Sequence, residues 1–374
     1  MKIRVLHCIE TIASGGVEQT ILTLIKGLNK ERFSHRIICT WAGGPVAEAL
    51  KNEGVEIFQV GSFKHPFEFS KYKFVLSQIS EYKPYILHGA VFEGMCMAAV
   101  GSFFGRTPVT ILEETSDPQN RSRLANLLLR FLSKQADVVQ AISVNVGNYL
   151  KVNAGIKAEK IRVITNGIQF PIANNYSEIL SLRDHYSIKE DYFVVGFVGR
   201  LHDDHKRVSD LIKAISLIDH EKIKLLIVGD GNDKEHLIKI VNNLKLKKKV
   251  LFVGFQANTQ VYFNLMNVLV VPSSREGFGL VAVEGMIQKL PVIGTKVGGL
   301  QDIIKDGETG FLVPPFSPES IAGKIQLLID QPDLRKTMGE KGKRRAIENF
   351  TAERYCREVE NLYHDLLKKK SVVL

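Results

Sequence analysis

Three short stretches carry residues whose types and spacing suit the binding of a phosphorylated ligand. The first is Pro272-Ser273-Ser274-Arg275-Glu276-Gly277-Phe278-Gly279-Leu280, with Glu284 about one turn into the helix that follows. Its glycines let the backbone approach a ligand, and free amides around Phe278, Gly279 and Leu280 at a helix start attract an anion. The carboxylates of Glu276 and Glu284 suit hydrogen bonds from sugar or ribose hydroxyls. A solvated Gly-rich turn explains two acids and two glycines poorly. The second stretch is Gly199-Arg200 with Lys206 six residues on. Two cations beside a strand end neutralise a diphosphate, and the guanidinium offers a two-pronged donor set. The polar run His202-Asp203-Asp204-His205 between them also reads as a solvated loop. The third, Ser14-Gly15-Gly16, is either an anion seat at a helix start or a plain tight turn. No G-x-G-x-x-G fingerprint and no Walker A motif occurs, which counts against a dehydrogenase or a P-loop enzyme.

Ligands in open α/β sheets bind beyond the carboxyl ends of the strands, so these stretches need strands before them. Short apolar, β-rich runs supply them: Ile3 to Ile9, Arg36 to Thr40, Val55 to Val60, Tyr85 to His88, Pro108 to Leu112, Asp137 to Ala141 and Ile161 to Ile164. Amphipathic segments such as Glu18 to Leu28 lie between them. The rhythm pauses at Asn166-Gly167 and Pro171 to Asn175, turn formers that suggest a linker. It restarts with Tyr192 to Val198, Lys224 to Val228, Val250 to Val253, Val268 to Val271 and Pro291 to Gly294. Such alternation predicts parallel sheets with helices on both faces. The fold class is α/β, with two doubly wound Rossmann-like domains over residues 1–170 and 171–350. At about 150 residues per domain, 374 residues fit two, with one large barrel as the competing reading. Three helices close the chain: Pro318 to Asp330, Pro332 to Glu348 and Thr351 to Lys369. In the last, Tyr355, Val359, Leu362, Tyr363 and Leu366 recur at helical spacing, so one face is expected to be buried.

Composition sets limits. Hydrophobic residues at 45% and charged residues at 24% exclude a disordered or fibrous chain. The longest apolar candidate, Met95 to Phe104, is too short to span a bilayer and reads as a buried helix. Lys2 and Arg4 precede only a brief apolar stretch without a cleavage site, so the start reads as a strand, not a signal peptide. Cys8, Cys39, Cys96 and Cys356 show neither paired nor metal-like spacing, consistent with reduced thiols in the cytoplasm. A formal charge of +10 favours anionic partners.

The ordered set of motifs resembles the GT4 family of retaining GT-B glycosyltransferases. Glu276 to Glu284 resembles its E-x7-E motif. Val271-Pro272-Ser273, Glu276-Gly277-Phe278-Gly279, Pro291-Val292-Ile293 and Val297-Gly298-Gly299 match around it. Gly199-Arg200-Leu201 with Lys206, Val228-Gly229-Asp230-Gly231 and Val163-Ile164-Thr165-Asn166-Gly167-Ile168 match as well. The resemblance spans nearly the whole chain and is looser in the first half. It implies a GT-B fold, two Rossmann-like domains facing across a cleft, with the donor mainly on the second domain and the acceptor on the first. It also implies that the final helix, residues 351–369, crosses back to the first domain. By the same resemblance, Arg200 and Lys206 grip the diphosphate of a nucleotide sugar and Gly16, beside Gly15, offers an amide to it. Glu276 holds hydroxyls of the donor sugar. Backbone groups of Gly277, Phe278, Gly279 and Leu280 line the sugar and phosphates. Glu284 binds the ribose, Gly199 belongs to the donor site, and Gly229 and the segment around Gly254-Phe255 lie near the base, expected to be uracil, with guanine the alternative. With no D-x-D at a strand end, no metal and no cofactor is expected.

Two positions depart from the family pattern. A histidine pair is usual after the fourth strand; here His88 is followed by Ala90 at the second position, so His88 is either an active group or a loop histidine. A further histidine usually follows the next strand, where Glu113-Glu114 stand instead. Glu114 aligns with it and would hydrogen-bond a sugar hydroxyl or steer the acceptor. Lys64, Lys71, Lys73, Arg121, Arg123, Arg130 and Lys134 flank Phe63, Phe67, Phe69, Leu128, Leu129 and Phe131, a mixture that suits either an anionic membrane surface or a packed core with solvated cations. Nothing resembles a nucleic-acid module. The resulting expectation is metal-independent transfer of a sugar to a glycan or lipid-linked acceptor in surface polysaccharide synthesis, at the inner membrane face. A GT-B sugar-nucleotide epimerase and a catalytically silent binding protein are the rivals.

Overall fold

The computed structural model describes residues 2–63, 65, 68–116, 121–170 and 176–372. Lys64, Phe67 and the turn formers Pro171 to Asn175 lie outside them. The chain divides into two compact units. One comprises Met1–Gln169 with Thr351–Leu374, the other Phe170–Phe350.

The first unit holds strands β1 (Ile3–Ile12), β2 (Phe33–Ala42), β3 (Glu56–Gln59), β4 (Ile86–Ala90), β5 (Val109–Glu114), β6 (Val138–Ala141) and β7 (Ile161–Val163). Helices α1 (Gly16–Gly27), α2 (Gly44–Asn52), α3 (Phe69–Tyr82), α4 (Val91–Gly105), α5 (Arg123–Gln135) and α6 (Val144–Val152) alternate with them. The strands form one parallel sheet in the order β3-β2-β1-β4-β5-β6-β7. The order reverses direction between β1 and β4, so helices cover both faces. Strands buried on both sides read as near-continuous apolar runs, and Ile86, Leu87, Ile111, Leu112 and Val139 are fully buried. Side-chain hydroxyls start two of the helices. Ser122 accepts from the Ala125 amide and Ser143 from the Val146 amide, each satisfying an amide the helix cannot.

The second unit repeats the plan. Its strands are β8 (Phe193–Val198), β9 (Ile223–Val228), β10 (Val250–Gly254), β11 (Val268–Val271), β12 (Val292–Thr295) and β13 (Gly310–Val313). They lie parallel in the order β10-β9-β8-β11-β12-β13. The helices are α7 (Tyr176–His185), α8 (Asp203–Lys206), α9 (Val208–Ser216), α10 (Lys234–Asn243), α11 (Gln260–Phe263), α12 (Leu280–Ile287), α13 (Leu300–Ile303), α14 (Pro318–Asp330) and α15 (Pro332–Asn349). Val195, Phe197, Leu211, Ile215, Ile227, Val268 and Ile325 lie at the centre of its core. β13 has no counterpart among the strands expected from the sequence, since four residues between turns give little periodicity.

The last helix, α16 (Ala352–Lys369), belongs to the first unit. Its apolar stripe, Tyr355, Val359, Leu362, Tyr363 and Leu366, packs on Ile3, Val5, Leu24 and Phe33. The Thr351 hydroxyl caps it by accepting from the Arg354 amide. Asn166-Gly167 is part of this docking and not a free linker. Ile168 bridges Thr351, Arg354 donates to the Thr165 carbonyl at 2.5 Å, and a Cβ on Gly167 would stand 2.3 Å from the Thr351 oxygen. A second expectation is corrected at α4. Met95 to Ala99 are buried, but Phe103 and Phe104 are more than half exposed.

Candidate functional site

In the second unit the sheet order reverses between β8 and β11, and such a switch point opens a crevice at the carboxyl edge. The loops leaving these two strands carry the two strongest sequence stretches. β8 is followed by Gly199 and α8, β11 by Pro272 to Gly279 and α12. The two loops are zipped together. The Ser274 amide donates to the His205 carbonyl at 2.8 Å, the Ser274 hydroxyl donates to the Asp204 carbonyl at 2.7 Å, and Arg275 Nη2 reaches Asp204 Oδ2 at 2.7 Å.

This zipper brings Lys206 and Glu276 together. Lys206 Nζ donates to Glu276 Oε2 at 2.7 Å, and Ser273 Oγ donates to the same oxygen at 3.3 Å. Neither partner is fully buried, so the pair stays open to exchange. Arg200 is exposed and has no side-chain partner among the described residues. A paired cation, an unpaired cation and a carboxylate therefore share one sheet edge.

The glycines close the back of the site. Gly229 has φ +139°, and a Cβ there would lie 1.9 Å from the Gly199 oxygen. The β9 loop thus backs directly onto the β8 loop, and the Gly229 amide donates to the Gly254 carbonyl at 2.8 Å. Beside it Phe255 is 58% exposed at the end of β10. Phe278 is buried against Phe350, so only its backbone faces the loop. Gly279 starts α12 in a left-handed conformation (φ +105°). Leu280 is the first residue of α12. Glu284 follows on its second turn and has no hydrogen-bond or ion-pair partner among the described residues. Burial pushes its carboxyl up to about 7. An unpaired, desolvated carboxyl is costly, as expected of a group whose partner arrives with a ligand.

Sequence reasoning missed the supports of this loop. Ser273 is wholly buried and orients Glu276, and Thr295 Oγ1 donates to the Ser273 carbonyl at 2.5 Å. The Gly299 amide donates to the Glu276 carbonyl at 3.0 Å, and a Cβ on Gly299 would stand 2.5 Å from Phe278 Cα. The Gly298-Gly299 pair was the only sequence signal for this.

The first unit places its candidates differently. Gly15 and Gly16 start α1 at the end of β1, beside the β1/β4 switch, and the Glu18 carboxylate folds back over Gly15. His88 lies within β4, not in a loop. It is 3% exposed, with Nδ1 2.8 Å from the Tyr363 hydroxyl of α16 and Nε2 3.3 Å from Glu113 Oε2. Glu113 in turn accepts from Gln140 at 3.0 Å. His88 therefore helps to seat α16 and does not face solvent. Glu114 is wholly buried, held by Nη1 and Nη2 of Arg121 and by the Ser116 hydroxyl at 2.7 Å. The carboxylate is thus buried and paired with Arg121 and Ser116, not exposed to solvent in this structure.

Comparison with known proteins fits this arrangement. A family model described as "Glycosyltransferase Family 4" matches residues 14–170, and one described as "Glycosyl transferases group 1" matches residues 179–345. The chain belongs to the GT4-type glycosyltransferases. This glycosyltransferase is 32% identical over 265 residues to N-acetyl-alpha-D-glucosaminyl L-malate synthase of Bacillus anthracis, an alignment that covers 70% of this chain and 66% of that one. It is 29% identical over 340 residues to the capsular polysaccharide biosynthesis glycosyltransferase CapM of Staphylococcus aureus, covering 86% of this chain and 88% of that one. Anabaena Alr3699/HepE, solved in complex with UDP-glucose, superposes with a TM-score of 0.87 at 21% identity, covering 97% of this chain and 99% of that one. This likeness establishes the GT-B fold. Among the described residues, no helix of the glycosyltransferase is long and apolar enough to cross a membrane.

Proposed function

We propose that this glycosyltransferase moves a sugar from a UDP-sugar, with retention at the anomeric carbon and without a metal, to a glycan or lipid-linked acceptor in surface polysaccharide synthesis. The observation that carries the reading is the Lys206–Glu276 pair at the β8/β11 switch, with Arg200 unpaired beside it. The relative CapM, named for capsular polysaccharide biosynthesis, and HepE, solved with UDP-glucose, support the setting and the base.

In the free protein the two ligand groups hold each other. A bound diphosphate takes Lys206, and Glu276 is then released to accept hydrogen bonds from the donor sugar. As the C1–O bond to the diphosphate breaks, negative charge grows on the leaving oxygen. Arg200 and Lys206, once drawn onto the bound diphosphate, stabilise that charge, and such electrostatic stabilisation is the largest single term in many enzymes. The leaving phosphate takes the acceptor proton on the same face, so no enzyme nucleophile is needed. Glu284, ionised when the ribose binds, accepts from its hydroxyls.

A peripheral contact with an anionic membrane belongs to the same reading. On α5 the exposed Leu124, Leu127 and Phe131 form a stripe flanked by exposed Arg123, Arg130 and Lys134. Apolar residues bordered by cations suit a helix lying in the headgroup region, at the inner face of a membrane.

The test is a thermal-shift panel of UDP, GDP, ADP, dTDP and NAD with and without Mg²⁺, on wild type and Arg200→Ala. A shift with UDP that ignores Mg²⁺ and weakens in the variant is expected. A shift with NAD alone, or with none, overturns the reading. Product analysis with donor alone separates transfer from epimerisation, and the anomeric coupling constant of the transferred sugar reports retention.

A further inference from the structure

The chain contains one tryptophan, Trp41, and it stands at the carboxyl edge of the first unit's sheet. It lies near the carboxyl end of β2, and its register partner on β1 is Thr11. Directly opposed residues on neighbouring strands share a face. The Thr11 hydroxyl donates to Glu18 Oε1 at 3.4 Å, and the Glu18 carboxylate lies over Gly15 at the start of α1. Trp41, Thr11, Glu18 and the Gly15-Gly16 turn thus form one continuous strip.

The indole is both exposed and held. Trp41 is 52% exposed. Its ring lies over the Gly43 backbone, where an added Cβ would stand 2.7 Å from Cη2 and Cζ2. The Gly43 amide is anchored to the Ile12 carbonyl at 2.9 Å, and the Ala42 amide donates to Gln59 Oε1 at 3.0 Å. One face of a large aromatic is packed against a fixed loop while the rest meets solvent. Such a ring offers an apolar platform to the C–H face of a sugar, with little side-chain entropy left to lose.

The surrounding charge selects among acceptors. The Glu18 carboxylate accepts from Thr11, the register partner of Trp41, and burial together with the nearby Glu93 and Glu18 carboxylates raises the pKa of Glu10; none of the three acids has a cationic partner among the described residues. Carboxylates accept hydrogen bonds from hydroxyls and repel a carboxylate or phosphate. We infer that Trp41 is the platform for the acceptor of the proposed transfer, and that the group seated there is a neutral sugar ring and not a small organic acid. The inference rests on the transferase reading above and adds the acceptor's class to it.

A single tryptophan makes the test direct, because all indole emission comes from this position. The emission is titrated with methyl α-glucoside, methyl α-galactoside and N-acetylglucosamine, and separately with L-malate, each with and without saturating UDP. A saturable quench or blue shift with at least one sugar and none with malate is expected. No response to any sugar overturns the inference, and a saturable response to malate overturns it in favour of an anionic acceptor. Trp41→Ala should raise the concentration of the responding sugar needed for half-maximal transfer about tenfold or more, and Trp41→Tyr should recover most of the loss. The UDP thermal shift, read on the same samples, reports the donor site. If UDP shifts wild type and Trp41→Ala alike while the sugars do nothing, the platform fails and the transferase reading stands. If UDP shifts neither, the transferase reading has failed first. If UDP shifts wild type but not Trp41→Ala, the ring is a structural support of the fold, and its role as a platform is overturned unless Trp41→Tyr keeps the UDP shift and the sugar response.

Discussion

Glu284 allows the donor site to be weighed in free energy before any ligand is known. Its carboxyl has no partner among the described residues and is pushed by burial from an ordinary 4.5 to about 7. One pKa unit corresponds to about 1.4 kcal/mol, so holding the ionised form costs the free protein roughly 3 kcal/mol. The sign follows from proton uptake. Between about 4.5 and 7 the folded state holds this proton more tightly than the unfolded state, so stability falls as pH rises through that window and levels off above it. Glu284→Gln keeps the shape and removes the charge. At pH 5, where the wild-type group is largely neutral in the folded state, the two proteins should melt close together. At pH 8 the variant should be the more stable by up to roughly 3 kcal/mol, a rise of about 6–12 °C in the transition of a domain this size. Calorimetry at the two pH values measures this and separates the transitions of the two units. The same variant should bind UDP about tenfold or more weakly at pH 8, since a hydrogen bond to a charged group contributes about 1.5–3 kcal/mol. Wild-type UDP affinity should itself rise with pH through about 7, because binding favours the ionised carboxylate. A Glu284→Gln protein that is less stable than wild type at pH 8, or whose stability difference is the same at both pH values, would refute the account of an unpaired carboxyl waiting for a ligand.

Three further outcomes follow from the geometry. Gly229→Ala adds a Cβ against the Gly199 oxygen at a backbone conformation alanine avoids, so it should destabilise the second unit by about 2–3 kcal/mol and abolish the UDP shift, read by denaturant unfolding and thermal shift. Tyr363→Phe leaves His88 Nδ1 without its partner and should cost about 1–3 kcal/mol, lowering the melting of the first unit while the UDP shift of the second persists. Leu127→Glu with Phe131→Glu, on the exposed stripe of α5, should reduce sedimentation with vesicles rich in phosphatidylglycerol and leave the melting temperature within a degree or two; unchanged sedimentation would remove α5 as the membrane contact.

The histidines under α16 supply a pH dependence of opposite direction. His7 is buried and His35 partly so, and loss of solvent holds both below the ordinary 6.5, His35 at about 4. His7 Nε2 and His35 Nδ1 are 3.1 Å apart, so protonating both places two charges in contact. The unfolded chain binds these protons more readily, and the first unit therefore loses stability as pH falls from about 6.5 towards 4. Taken with Glu284, the two units should show opposed pH profiles, the first weakening as pH falls below about 6.5 and the second weakening as pH rises from about 4.5 to 7.

Much of the donor site is local and was legible in the sequence. Glycines at a strand end, cations after Gly199, and acids at Glu276 and Glu284 each follow a strand whose apolar run is continuous because it is buried on both faces. Local propensity also placed the last three helices within a residue or two, since each begins at a proline or a hydroxyl cap. Strand order is another matter, because every parallel strand of similar composition pairs equally well on paper. Only the tertiary structure sets β8 beside β11, and so brings Lys206 to 2.7 Å from Glu276 across seventy residues of chain. Only packing decides that His88 belongs to Tyr363 and Glu114 to Arg121. Both looked like ligand groups because residue type shows what a side chain can bond, whereas burial and neighbours determine which partner it has already taken. Trp41 is the converse, one aromatic among many in the sequence, which the register of β1 and β2 leaves half exposed at the edge where the first unit's glycine turn begins.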